Sequence, residues 1–225
     1  MRDGDCVFDV GANIGMFTVF VQERFRDVKV FAFEPSPKIF PLLQANTAKY
    51  GDKVSALAYG LSNETKQAVF THYPSYSLLS GFHGDEERDL KTMSSGILSQ
   101  WRETYPGEID PSERILDALA RRALGAKEES RRRLRAVYEV IKETGVAEVS
   151  LLKIDAEGCE LEILSGLGTG DWTKVRQIAM EIHDADGSRM PKIKALLQGH
   201  GFDCTFEQED SLKAAGMFNG YARRP

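Results

Sequence analysis

Long apolar runs are missing from this 225-residue chain; the longest hold only about four residues, where a membrane-spanning helix needs about 20. No basic segment followed by an apolar stretch opens the sequence, so neither a membrane span nor a secretory signal is expected. Cysteine is scarce. Cys6, Cys159 and Cys204 are widely separated and form no C-x-x-C pair, which argues against a disulfide framework or a zinc ribbon and fits a reducing, cytoplasmic setting. An excess of positive charge is also lacking. The chain carries 29 Lys and Arg against 34 Asp and Glu, a net charge of −5, so no basic face for nucleic acid is expected. What remains is the composition of one domain, residues 1–225, whose 42% hydrophobic content suffices for a continuous core.

Apolar runs bounded by turn residues recur at 6–10, 28–33, 54–58, 149–154 and 177–182, with helical patterns between several of them. That alternation predicts an α/β fold, a Rossmann-like sheet of mostly parallel strands. Helices are expected over 15–25, where Met16, Phe17, Val19, Phe20 and Phe25 give an apolar stripe, and over 37–50. Lys66–His72 alternates as an extra strand, and 73–84 is a turn-rich loop. Residues 85–145 are charged, mostly helical in pattern and too long for a plain connection, which reads as an inserted helical cap. A helix over 191–198 and an antiparallel hairpin of 202–208 with 217–223 close the pattern.

Chemistry concentrates first at Val7–Gly15, a buried strand that runs through a glycine turn into a helix. Gly11 lets the backbone approach a ligand, Asn13 tolerates a left-handed conformation, and Gly15 permits tight packing at the helix start. Glu34 ends the second strand at close to the roughly 20-residue spacing at which a carboxylate reaches a ribose. The turn spells G-x-x-x-G and not the dinucleotide pattern G-x-G-x-x-G. Asp9 would repel a diphosphate yet can pair with the ammonium of a methionine. S-adenosyl-L-methionine (SAM) is therefore favoured over NAD, and a NAD-dependent oxidoreductase is the alternative.

The segments Val7–Gly15, Phe31–Pro35, Leu151–Gly158 and 171–184 resemble the FkbM family of methyltransferases. Residues 199–202 and 207–208 are similar to O-methyltransferase domains embedded in modular polyketide and nonribosomal peptide synthases. The resemblance implies a class I methyltransferase sheet of order 3-2-1-4-5-7-6 and SAM-dependent O-methylation, with S-adenosyl-L-homocysteine (SAH) as product. It implies a cofactor site drawn from Asp9, Gly11, Ala12, Asn13, Gly15, Phe17, Glu34, Pro35, Ser36 and Asp155. It further implies an acceptor tethered through phosphopantetheine to an acyl or peptidyl carrier protein. A SAM-binding module without catalysis is a third reading.

O-methylation benefits from a base that accepts the hydroxyl proton. His183 directly follows the strand 177–182 at the sheet edge expected to face the cofactor, and imidazole titrates near neutrality, so it is the expected base. Glu157 is expected to orient it, with Asp155 nearer the cofactor or the acceptor hydroxyl. The same strands offer a structural ion pair between Lys153 and Glu181, with Asp184 capping the next segment. A divalent metal held by Asp155, Glu157, Glu181, His183 and Asp184 is the weaker alternative, because their spacing fits no dedicated motif. Tyr76, Ser80 and Gly81 of the 73–84 loop are candidate lid contacts. Arg121, Arg122, Arg131, Arg132, Arg133 and Arg135 form a local basic concentration, either a solvated helical face or a docking surface for an acidic carrier protein.

Overall fold

Five buried residues in succession, Cys6–Val10, all apolar but the aspartate in fourth place, form β1 at the centre of a seven-stranded sheet. The computed structural model describes every residue except 77, 78, 185 and 209–215. Around β1 lie β2 (Lys29–Phe33), β3 (Val54–Leu57), β7 (Leu151–Ile154), β8 (Gln177–His183), β9 (Asp203–Glu207) and β10 (Met217–Arg223), in the order β3-β2-β1-β7-β8-β10-β9. β10 runs antiparallel to β8 and β9, and the other pairs are parallel. Numbered within this sheet alone, the order is the expected 3-2-1-4-5-7-6. The closing hairpin is present as expected, and its connection, 209–215, lies outside the described residues.

α1 (Met16–Arg24) buries Thr18, Val21 and Gln22, whereas Met16 and Phe20 are about 60% exposed. The expected apolar stripe is thus rotated. Hydrogen bonds decide the rotation: Thr18 Oγ1 donates to Asp9 Oδ2 at 2.7 Å, and Gln22 Nε2 donates to the Val28 carbonyl at 2.8 Å. α2 (Phe40–Thr47) is shorter than expected and carries Pro41 in its first turn, where a missing N–H costs nothing.

The insertion departs further from expectation. α3 (Glu86–Thr104) and α4 (Glu113–Leu124) are helices, but Glu128–Ala136 is strand β6. It lies between β4 (Gly60–Ser62) and β5 (Lys66–His72) in a second, three-stranded sheet. Arginine-rich sequence reads as helix by propensity; cross-strand pairing with β5 and burial of Leu134 and Ala136 override it here. α5 (Val137–Thr144) then buries Val137, Val140 and Ile141 in the main core. Only α3 and α4 stand apart. They pack with Tyr73 and Leu79 in a separate apolar cluster that includes Leu90, Met93, Ala120 and Leu124. The Tyr73 hydroxyl donates to the buried Asp89 carboxylate at 3.0 Å, which ties loop to helix. Among the described residues no helix is long and apolar enough to cross a membrane.

Candidate active site

The site forms where β1, β2, β7 and β8 end. Gly11 has φ +73°, and a Cβ there would lie 1.7 Å from the Asp155 carbonyl oxygen. The close approach anticipated at Gly11 is therefore to the chain's own backbone after β7. Asn13 adopts the left-handed conformation, φ 50°, as anticipated, and Gly15 lies against Leu43 of α2. Gly11 and Ala12 N–H groups both donate to the Phe33 carbonyl, so the turn is locked to the end of β2.

A first cavity of about 200 Å³ opens here, lined by Gly11, Asn13, Glu34, Pro35, Ser36 and Asp155 among others. Glu34 is buried, and its two oxygens accept backbone N–H groups from Asn13 at 3.0 Å and Ser36 at 2.7 Å. Burial pushes its carboxyl up to about 7 against the pull of those two bonds. Each oxygen keeps a lone pair for a ligand hydroxyl, and the Ser36 hydroxyl on the same wall is buried with no partner among the described residues. A buried acceptor pair beside an orphaned hydroxyl fits the ribose end of SAM. Glu34→Ala is expected to weaken SAH binding by roughly 1.5 to 3 kcal/mol per hydrogen bond lost, measured by calorimetry. Wild-type affinity is expected to fall as pH drops through about 7, where Glu34 takes up a proton, and Glu34→Gln to remove that dependence.

Asp9, Ala12, Gly15 and Phe17 do not line this cavity. The Asp9 carboxylate is fully buried and faces Lys153, whose Nζ lies 3.2 Å from Asp9 Oδ1, 3.3 Å from Asp155 Oδ2 and 3.1 Å from the Gly11 carbonyl. Burial alone would lower the Lys153 ammonium; Asp9 and Asp155 outweigh it and raise it. The expected pairing of Asp9 with a ligand ammonium is thus replaced by an internal cation, and the expected Lys153–Glu181 pair is replaced by Lys153 with two aspartates. Phe17 lies half-buried, its ring 5.9 Å from Lys153 Nζ.

A second cavity, about 960 Å³, lies between α3 and the end of β8. Gly81, Glu157 and Glu181 line both cavities, so the two adjoin along a shared wall. His183 stands on the second side of that wall. Its Nε2 is 3.1 Å from Glu157 Oε2 and 3.3 Å from Glu181 Oε1, and its Nδ1 is 3.1 Å from Glu160 Oε1. Burial would lower this imidazole, but the three carboxylates outweigh it and push it up to about 10. Burial in turn pushes the Glu157 carboxyl up to about 8, while the bond from His183 holds Glu181 low. Two expectations change. His183 is not poised near neutrality, and the ring meets not only Glu157, the expected orienting group, at Nε2 but also Glu160, which the sequence alone does not single out, at Nδ1.

Asp184 plays the capping part: its carboxylate accepts the Arg189 and Met190 N–H groups at the start of α7 (Arg189–Gly199). Among the described residues no group of three or more His, Cys, Asp or Glu side chains is arranged to hold a metal ion. Ser80 and Gly81 line the first cavity and Tyr76 the second, while Ser77 and Leu78 of the same loop lie outside the described residues. Paired N–H to carbonyl bonds between Gly81 and Thr71 pin the loop to β5.

Comparison with known proteins adds a second line. Residues 9–204 match the family model of the methyltransferase FkbM domain. The chain is 35% identical over 230 residues to the 31-O-demethyl-FK506 methyltransferase FkbM of Streptomyces tacrolimicus, covering 100% of this chain and 82% of that protein. It is 35% identical over 226 residues to the AMB antimetabolite synthetase AmbE of Pseudomonas aeruginosa, covering 97% of this chain but spanning only 10% of the synthetase. Among solved structures, methyltransferase FkbM from Methylobacillus flagellatus superposes with a TM-score of 0.57 at 12% identity, over 98% of this chain and 44% of that one. At that identity the likeness shows the fold alone.

Proposed function

The chain belongs to the FkbM family of SAM-dependent methyltransferases, and we propose that it moves a methyl group onto a hydroxyl oxygen of an acceptor carried by an acyl or peptidyl carrier protein in natural-product biosynthesis. The observation that carries the reading is the wall of Glu157 and Glu181, backed by His183, between two cavities of unequal size. A carbon or thiolate nucleophile has less need of such a proton-accepting group than an alcohol, whose proton must leave as attack proceeds. A hydroxyl acceptor also agrees with the activity named for the Streptomyces relative, a 31-O-demethyl substrate. Carriage on a synthetase agrees with the Pseudomonas relative, in which the matching stretch is a small part of a synthetase. The relatives and neighbours named above lend no support to the dinucleotide reading.

SAM, when bound, supplies an electrophilic methyl on a sulfonium. The protein's own residues do the rest. Glu34 and Ser36 would hold the ribose end, and the shared residues Gly81, Glu157 and Glu181 set the acceptor's cavity against the donor's. His183 stays an imidazolium up to about 10, so the Glu157–His183 pair takes the hydroxyl proton as one acid–base unit once Glu157 ionises above about 8, with Glu181 ionised beside it. The second cavity accommodates the acceptor along α3, whose Thr92, Ser95, Ser99 and Gln100 face it.

The arginine concentration shrinks as a docking surface. Arg135 is buried against Glu143 and Glu139, and Arg121 pairs with Asp117 and Glu86. Arg122, Arg131 and Arg133 remain exposed for an acidic partner. Mass spectrometry of a panel of hydroxyacyl and hydroxy-aminoacyl groups, each carrier-bound and as the free acid, incubated with protein and SAM, tests the proposal. A gain of one methyl on carrier-bound species is expected. Transfer to the free acids alone removes the tether, and transfer to nitrogen removes the hydroxyl.

A further inference from the structure

Glu160 is the first residue of α6 (Glu160–Ser165) and has no exposed surface. Its Oε1 accepts the Gly158 N–H at 2.7 Å and lies 3.1 Å from His183 Nδ1, while Oε2 has no partner among the described residues. We propose that Glu160 is the positioning residue of this active site, holding the Nδ1 proton of His183 so that Nε2 is presented to the wall between the cavities. This rests on the reading that the Glu157–His183 unit takes the hydroxyl proton.

The local backbone explains the placement. Glu157 and Gly158 both adopt left-handed conformations, φ 48° and 91°, and this reversal sets Glu157 on the Nε2 side of the ring and Glu160 on the Nδ1 side. An ionised carboxylate only accepts, so the nitrogen that meets Glu160 is a donor and the ring is fixed in one orientation. Every other carboxylate that reaches the ring does so at Nε2: Glu157 from the turn after β7 and Glu181 from β8 itself. Asp155 contacts Lys153, and Arg189 from α7 donates to the His183 backbone carbonyl at 2.9 Å and not to the ring. Glu160 is therefore the one group that sets Nδ1 among the described residues. Its unpartnered second oxygen makes it dependent on the imidazolium in return.

The first readout needs no acceptor. In the SAH complex, nitrogen-15 NMR of the histidine side chains is expected to show His183 Nδ1 protonated throughout its titration in wild type. In Glu160→Gln the His183 midpoint is expected to fall by more than one pH unit, with the alkaline limb of turnover moving by the same amount. Glu162→Gln, on the same helix but facing Ser62 and His83, is expected to leave both in place. An unchanged His183 midpoint in a Glu160→Gln protein that still binds SAH overturns the proposal. So does an unprotonated Nδ1 in wild type, a measurement that stands even where the variant does not fold. A midpoint that moves while the turnover limb stays overturns the base assignment and leaves the positioning role standing.

Discussion

His183→Ala is expected to lower turnover by roughly 10² to 10⁴-fold, the range for a lost acid–base group, with SAH affinity close to wild type. Affinity is retained because Glu34, Asn13 and Ser36 lie on the far side of the shared wall. Wild-type turnover is expected to rise with pH well beyond the ordinary histidine range, since the ring stays protonated up to about 10 and the pair gains basicity only as protons leave it. Stability follows the same sign. A raised pKa means that the charged imidazolium stabilises the fold fully below the ordinary histidine range, and that contribution is lost as pH rises through about 10. The alanine variant also leaves the fully buried Glu160 without its cation, a loss of about 3 kcal/mol. Thermal melts would show most of that deficit restored in the double variant His183→Ala, Glu160→Gln, which removes the stranded charge. Unimpaired turnover in the single variant would overturn the assignment of His183 to the unit.

Gly11→Ala is expected to be the most damaging small substitution at the cofactor end. The new methyl group would sit 1.7 Å from a backbone oxygen, in a left-handed conformation that L residues avoid. Backbone strain and overpacking together come to about 4 kcal/mol. Denaturant melts should show that loss, and SAH binding should fall with it because the end of β7 must withdraw from the first cavity. Gly4 provides the control. Its φ is +89° but a Cβ there meets nothing within 4 Å, so Gly4→Ala carries strain alone, about 1 kcal/mol. Equal losses at the two positions would show that crowding against Asp155 is relieved by a small shift.

The sheet and the buried carboxylate at the end of β2 were legible because their signals are local. β1 is a buried, mostly apolar run, Asn13 is one of the few residues suited to its turn, and Glu34 directly follows the apolar run of β2 and lines the first cavity. β6 was not legible, since its helix-like charged sequence is made a strand by partners, Lys66–His72, that lie some 60 residues earlier. Glu160 was hidden for another reason. Three carboxylates fall within 155–160, and choosing among them depends on the left-handed turn at Glu157, a conformation rare for a residue other than glycine. The Gly158 in the middle of D-A-E-G-C-E was the available hint that the chain reverses there. The partner of Lys153 was not legible either, because its register neighbour on β8 is Ala179, so that Glu181 stands beyond the last paired residue of β7.

The wall that Glu157 and Glu181 share has one more consequence. In the proposed reaction a positive charge would leave the first cavity with the transferred methyl, and a proton would be released in the second. Both changes are felt by the same two carboxylates. The proton arrives at a wall that has just become more basic, so charge crosses the partition without building up on either side, and the exchange is electroneutral.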